Sequence, residues 1–332
     1  MEESIRFQAS GKQLYGILHL PEGNTWVTSN PPVNEAEAAP RITAMLLMVV
    51  GGPQNRVGSH RSYTLMARQL CRSGLPVMRF DYAGIGDSQG AFEGFATAGP
   101  SLEAALDYLY QRFPALEKVV LWSLCDGSAA CAMYAHRDAK RVAALILCNP
   151  YVHSEQGRAK AILKHYYLRR LRSVGFWKKL FSFRLNPLDT LDSLYKLVKL
   201  SLGRKPPPAP AAPGPAAPEP PGAPAQAFRE GDPPGLPDKV MDGLEAYRGP
   251  VHIFLSTDDN TANEFLELHR EREAAQARHG KAGGAPLRAL RFVEGADHTF
   301  TEAEWKRCVC EMTLEAWDAV IGSKEKRWKQ ER

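Results

Sequence analysis

Val119-Val120-Leu121-Trp122-Ser123-Leu124-Cys125-Asp126-Gly127-Ser128 is the stretch on which the reading of this chain turns. An apolar, β-branched run stops abruptly, and Ser128-Ala129-Ala130 continues in a form compatible with a helix. The pattern predicts a strand, a sharp turn and a helix. Small residues stand two before the tip (Ser123) and two after it (Gly127), where the two backbones nearly touch. The tip itself is a thiol, Cys125. At a helix N-terminus a thiolate is stabilised by the helix dipole and by free backbone N–H groups, and a paired imidazole adds to this. Inert buried cysteines are common at strand ends, but the offsets of Ser123 and Gly127 favour a nucleophile. Ser128 is the rival; as the tip it would force Asp126 into the crowded small-residue position.

A nucleophile on such an elbow needs an acid and a histidine further along, in that order. His298 lies in Glu294-Gly295-Ala296-Asp297-His298-Thr299-Phe300, a loop between a strand and the last helix. That setting anchors a general base while leaving it free to reach the elbow. His60, His136, His153 and His165 have weaker placement. For the acid, the strand Val251–Leu255 ends in Ser256-Thr257-Asp258-Asp259-Asn260. Asp258 and Asp259 are both candidates, and Asp259 is preferred as three residues beyond the strand-end Ser256. Its carboxylate would orient the imidazole and stabilise its protonated form. The oxyanion needs two N–H donors. One is the amide of Asp126, just after the tip. The other falls in Gly51-Gly52-Pro53-Gln54; Pro53 has no N–H, so Gly52 is favoured, with Gln54 in reserve. No Gly-Lys-Ser/Thr follows this glycine pair, which argues against a phosphate loop. Asp81-Tyr82-Ala83-Gly84-Ile85-Gly86-Asp87-Ser88 lacks a dinucleotide fingerprint and reads as structural, shaping the loop beside the oxyanion site.

Outward from the elbow, strands and helices alternate. Ser4–Leu20 suggests two short strands around Gly11 and Gly16, an initial hairpin. Ile42–Val50 is a continuous apolar run, the mark of a strand covered on both faces. Helical spacing over Ser62–Ser73, a short strand at Pro76–Phe80 and an amphipathic helix at Pro100–Phe113 follow. Beyond the elbow come a helix to about His136 and the strand Val142–Leu147. Alternation breaks after Pro150 and resumes at Val251. Capping boxes at Thr261–Glu264 and Thr301–Glu304 predict helices from about Ala262 and Glu302. Such alternation predicts a mostly parallel central sheet flanked by helices. The expected organisation is a core over 1–150 and 246–332, an inserted helical lid over 151–205, and a Pro/Ala-rich spacer over 206–245. The spacer's composition cannot bury enough apolar surface to fold and predicts disorder.

At 332 residues the chain has room for one such domain with its insertion. The net charge is +5, yet 13 Lys and Arg against 3 Asp and Glu fall between Tyr151 and Lys205, so the remainder is acidic by 5. Tyr166, Tyr167, Phe176, Trp177, Phe181 and Phe183 interleave with those cations. That composition suits either a lid whose aromatics cover a site, which is preferred, or an interfacial helix on an anionic membrane. Nothing suggests a nucleic-acid partner. The six cysteines lack metal spacing, so no metal and no cofactor is expected. Met1-Glu2-Glu3-Ser4 does not resemble a secretory signal, and the expected location is cytoplasmic, with peripheral contact at the inner membrane through the basic segment as a variant.

These segments together resemble an α/β-hydrolase, and more narrowly the exosortase A system-associated hydrolase 1 family. The stretches that carry this are Val50–Arg61 (V-G-G-P-Q-N-R-V-G-S-H-R), Phe80–Ser88, Leu121–Ala129, Asp259–Phe265 and Asp297–Phe300. The resemblance covers roughly residues 1–150 and 246–332, and departs in Ser123, where a glycine is more usual. It implies an α/β-hydrolase fold and a bacterial protein encoded beside a protein-sorting and exopolysaccharide system; it implies no substrate. The expected activity is hydrolysis of an ester or thioester through an acyl-cysteine, by a Cys125–His298–Asp259 triad acting on a small-molecule, lipid or polymer acyl substrate. The alternatives are acyl transfer to a sugar or lipid hydroxyl, and a hydrolase-fold binding protein without catalysis.

Overall fold

A computed structural model of the chain describes residues 1–21, 42–52, 54–154, 233–278 and 288–322. An eight-stranded sheet runs through all of these segments. β1 (Glu2–Ala9) and β2 (Lys12–His19) form the expected antiparallel hairpin. Its turn is made by Ser10 and Gly11, both at positive φ. β2 also pairs antiparallel with β4 (Val77–Asp81). The rest of the sheet is parallel: β3 (Ala44–Val49), β5 (Lys118–Leu124), β6 (Val142–Cys148), β7 (Val251–Ser256) and β8 (Arg288–Val293).

The spatial order is β1-β2-β4-β3-β5-β6-β7-β8. β3 is followed on one side by β4, and the chain then crosses to the other side to make β5. Strand order therefore reverses about β3, and in open parallel sheets the crevice at such a point, beyond the strands' C-terminal ends, is where ligands bind. The two sequence features read as catalytic, the glycine loop after β3 and the elbow after β5, are the walls of that crevice. Every residue of β3 is buried, which is why its sequence is an unbroken apolar run and not an alternating one.

α1 (Ser62–Arg72) packs against α6 (Ala303–Ile321), while α3 (Asp126–Ala135) packs against α2 (Gly99–Arg112) and α4 (Leu236–Ala246). α5 (Asn260–Arg278) follows β7. α4 corrects the expectation that the spacer extends to residue 245. Leu236, Val240, Met241 and Leu244 recur at helical spacing and are buried, and a Cβ on Gly243 would lie 2.4 Å from the Ala132 carbonyl oxygen. The prolines that disguised this helix stand before it or in its first turn, where a missing N–H costs nothing. The core thus resumes ten residues earlier than expected, at Leu236. The rest of the spacer, and the lid after Ser154, lie outside the described residues.

Both capping boxes are also corrected. α5 begins at Asn260, and Asp259 caps it: Thr261 N and Ala262 N donate to its two carboxylate oxygens at 3.2 and 3.1 Å. A carboxylate acceptor two residues earlier displaces the Thr261 box, and Glu264 instead accepts from Ser154 N at 2.8 Å. α6 begins at Ala303 with no side-chain cap, because the Thr301 hydroxyl donates to Asp297.

Candidate active site

Cys125 sits between β5 and α3 with φ 62° and ψ −127°. A non-glycine residue holds such a conformation only where its surroundings over-determine it. Here they do. The Ser123 hydroxyl donates to the Val49 carbonyl at 2.5 Å, tying β5 to β3 directly beneath the tip. Leu124 N donates to the Tyr63 hydroxyl at 3.2 Å, and Cys125 N donates to the Cys148 carbonyl at 2.9 Å. On the helix side, a Cβ on Gly127 would lie 2.2 Å from Ser123 Oγ and 2.7 Å from the Val50 carbonyl. The turn can close only with glycine there. Ser123 in place of a glycine brings its own hydrogen bond and fits. Ser128 is fully buried and donates to the Cys148 carbonyl at 3.0 Å, so it faces away from the crevice.

The histidine loop arrives from the far end of the sheet. His298 Nδ1 lies 2.8 Å from Asp259 Oδ2, and its imidazole also hydrogen-bonds the Cys125 side chain. Burial by itself would lower the pKa of this imidazole. The Asp259 carboxylate and the Cys125 sulfur outweigh it and hold it well above the ordinary histidine range. Of the two acidic candidates, Asp259 is buried and makes the contact, whereas Asp258 is exposed. Capping α5 and orienting His298 are one arrangement: the helix amides fix the carboxylate that fixes the ring.

Three positioning residues were not singled out from sequence. Asn149 is fully buried at positive φ (42°). Its amide donates to the His298 carbonyl and to Ser256 Oγ, both at 2.9 Å, and accepts from Ser256 N at 2.8 Å. Ser256 Oγ donates to the Asp297 carbonyl at 2.8 Å. The Asp297 carboxylate accepts from Thr299 N and Thr301 N at 3.1 and 3.0 Å. Together they bolt the histidine loop to the ends of β6 and β7. The signal available was a polar residue capping each apolar strand, Asn149 after Cys148 and Ser256 after Leu255.

At the oxyanion side, Gln54 spends its N–H on the Gly51 carbonyl at 3.3 Å. Gly52 is buried at φ 61°, across from Asp126 at the first position of α3. Gly51 lies against the elbow: a Cβ there would meet Leu124 O at 2.7 Å and Gly127 N at 2.9 Å. A cavity of about 230 Å³ between α1 and α6 has Leu124, Thr299 and Phe300 in its wall, but neither Cys125 nor His298. Among the described residues no cluster of histidine, cysteine, aspartate and glutamate could hold a metal ion. No helix among them is long and apolar enough to cross a membrane.

The sheet order and the strained turn after β5 together define an α/β-hydrolase fold. The family described as Hydrolase_4, serine aminopeptidase, S33, matches residues 42–186, the stretch that contains the glycine loop and the elbow. No curated protein sequence matches the chain. Among solved structures the chain is similar to the esterase Pf2001 of Pyrococcus furiosus at 14% identity (TM-score 0.54, covering 95% of this chain and 92% of that one). It is also similar to Est1E of Butyrivibrio proteoclasticus, solved with ferulic acid bound, at 15% identity (TM-score 0.53, 96% and 100% covered). A dienelactone hydrolase of Anabaena variabilis is similar at 12% identity (TM-score 0.54, 96% and 98% covered). At such identities the likeness is one of fold.

Proposed function

We propose that this protein cleaves an ester or thioester of a small acyl substrate through a covalent acyl–Cys125 intermediate. One observation carries the reading: the Cys125 side chain hydrogen-bonds an imidazole that is itself held by a buried, helix-capping carboxylate. His298 takes the thiol proton, and the sulfur attacks the carbonyl carbon. The carbonyl π electrons move to oxygen, where the amides of Gly52 and Asp126 receive the charge. As the oxyanion collapses, the leaving group departs with the proton from His298. Water, deprotonated by the same imidazole, then attacks the thioester; the acid leaves and the thiol is restored. Asp259 keeps the ring in the required tautomer and stays ionised. Exchange between thiol and thioester is nearly balanced in energy, which favours thioesters, lactones and activated esters over amides. The esterases and the dienelactone hydrolase that share the fold support the same substrate class.

Intact-mass analysis after mixing with an acyl thioester should give an acyl adduct on the wild type and none on Cys125→Ala. No adduct on the wild type, or an equal one on the variant, overturns the reading. Acyl transfer uses the same intermediate and would appear as an acylated polyol among the products. The association with a bacterial exosortase and exopolysaccharide system rests on the Val50–Arg61 and Leu121–Ala129 stretches. Peripheral contact with an anionic membrane rests on the charge of residues 151–205. Liposome co-sedimentation that responds to neither anionic lipid nor salt would dismiss that contact.

A further inference from the structure

We propose that Arg56 is a positioning residue for the reaction, latched to Asp81 so that the loop after β3 holds the Gly52 amide on the oxyanion; this rests on the acyl-cysteine reading above. The loop must present one amide beside an elbow it nearly touches, with no secondary structure of its own to hold it there. What grips it is the C-terminal end of β4. The Tyr82 hydroxyl donates to the Gly52 carbonyl at 3.3 Å, which ties the residue that carries the amide to the end of β4. Asp81 is fully buried, and it receives both the Arg56 backbone N–H and the Arg56 guanidinium. A second arm of the guanidinium reaches Asp87 at 2.6 Å, and Arg79 donates to the Arg56 carbonyl at 2.8 Å. Arg56 is therefore held at its N–H, its C=O and its side chain at once. Nothing else fits in this junction: a Cβ on Gly86 would lie 2.3 Å from Asp81 Oδ2 and 3.0 Å from Asn55 Cβ.

The arrangement does more than glue the fold. β4 is already secured between β2 and β3, and Asp81 is its last residue, buried, with the carboxylate turned to the loop. Letting the loop drift would strand a buried carboxylate without its cation, so the latch converts a short glycine turn into a fixed donor. Geometry of this kind matters at the transition state, where charge develops on the oxygen, and far less for binding the ground state.

Two rates separate the latch from the nucleophile. In alkylation by iodoacetamide the Cys125 thiolate forms a carbon–sulfur bond and expels iodide, with no oxyanion. Turnover of a p-nitrophenyl ester needs thiolate and oxyanion amides alike. Arg56→Gln should lower kcat on the ester about 100-fold, the cost of one lost oxyanion donor, with KM and the alkylation rate unchanged. Arg56→Lys should restore part of kcat. Asp87→Asn, at an exposed residue whose loss spares the Asp81 arm, should fold normally and lower kcat least, and it carries the test if the Arg56 variants do not fold. Unchanged turnover in a folded Arg56→Gln, or an equal fall in turnover and alkylation, overturns the latch. Turnover that survives in Cys125→Ala, or a wild type that is not alkylated at Cys125, sinks the acyl-cysteine reading instead.

Discussion

The proposed nucleophile and its proposed base are held by opposite means. Cys125 is fixed by short-range sterics: a strained tip, a glycine two residues on, and strand partners directly alongside. His298 sits in a loop that Asp297 turns locally, but its placement depends on Asn149, Ser256 and Asp259, which are brought from two other strand ends. One half of the site is built by backbone geometry, the other by a network of polar side chains. A steric fault should therefore break the first half outright, whereas the second half should weaken by degrees as single hydrogen bonds are lost.

The largest effect expected is at the two reacting groups. Cys125→Ala or His298→Ala should each lower kcat by about 10⁴-fold or more, and the double variant should fall little further, because members of one unit are not additive. Steady-state rates on an activated ester check this; additive losses would mean that the two groups act separately. Gly127→Val comes next. Its side chain meets Ser123 Oγ and two carbonyl oxygens inside 3 Å, so the variant should lose about 3 kcal/mol or more of stability, read by denaturant unfolding. On the other half, Asn149→Ala leaves Ser256 N and the His298 carbonyl without a partner and should cost about 1–3 kcal/mol. Its kcat should fall while Cys125 remains alkylable. An elbow as sensitive as the histidine loop to such a loss would erase the contrast.

A gradual effect sharpens the comparison through pH. His298 is held well above 6.5 in the folded state, so its charged form contributes stability that is complete below the unfolded value and is lost as pH rises through the folded one. His19, buried at the end of β2, has the opposite sign. Burial and the neighbouring Arg79 push its pKa down to about 4, and it accepts a hydrogen bond from Arg79 Nε at 2.9 Å. Its neutral form is required, so stability falls as pH drops from 6.5 towards 4, by about 3 kcal/mol at the limit. Melting temperatures across pH 4–9 should show His19→Gln flattening the acid side and His298→Gln flattening the alkaline side. Two variants with the same slope would contradict the assignment.

Much of this was legible before any coordinates. The alternation of apolar runs and amphipathic segments is a local property of side-chain spacing, and it predicts the strands and helices about β3 and β5 to within a few residues. The offsets of Ser123 and Gly127 about Cys125 are likewise local, since steric exclusion acts between near neighbours. α4 was hidden because composition dominated periodicity around Pro233, Pro234 and Pro237. The capping boxes misled for a related reason: a motif records which side chains are capable of capping, not which partner wins. Glu264 turned to Ser154, and Thr301 to Asp297.

By itself, the amino-acid order determined the succession of elements, the thiol at the tip of the turn and the chain order of acid and base, because each depends on contacts spanning a few residues. Tertiary structure seated Asp259, already the preferred candidate in the sequence, against His298, enlisted Asn149 and Ser256 to carry the histidine loop, and set Arg56 against Asp81. Those choices hang on which buried polar groups meet across strands far apart in sequence. A buried donor or acceptor must find a partner wherever folding leaves it, and only the packed sheet says where that is.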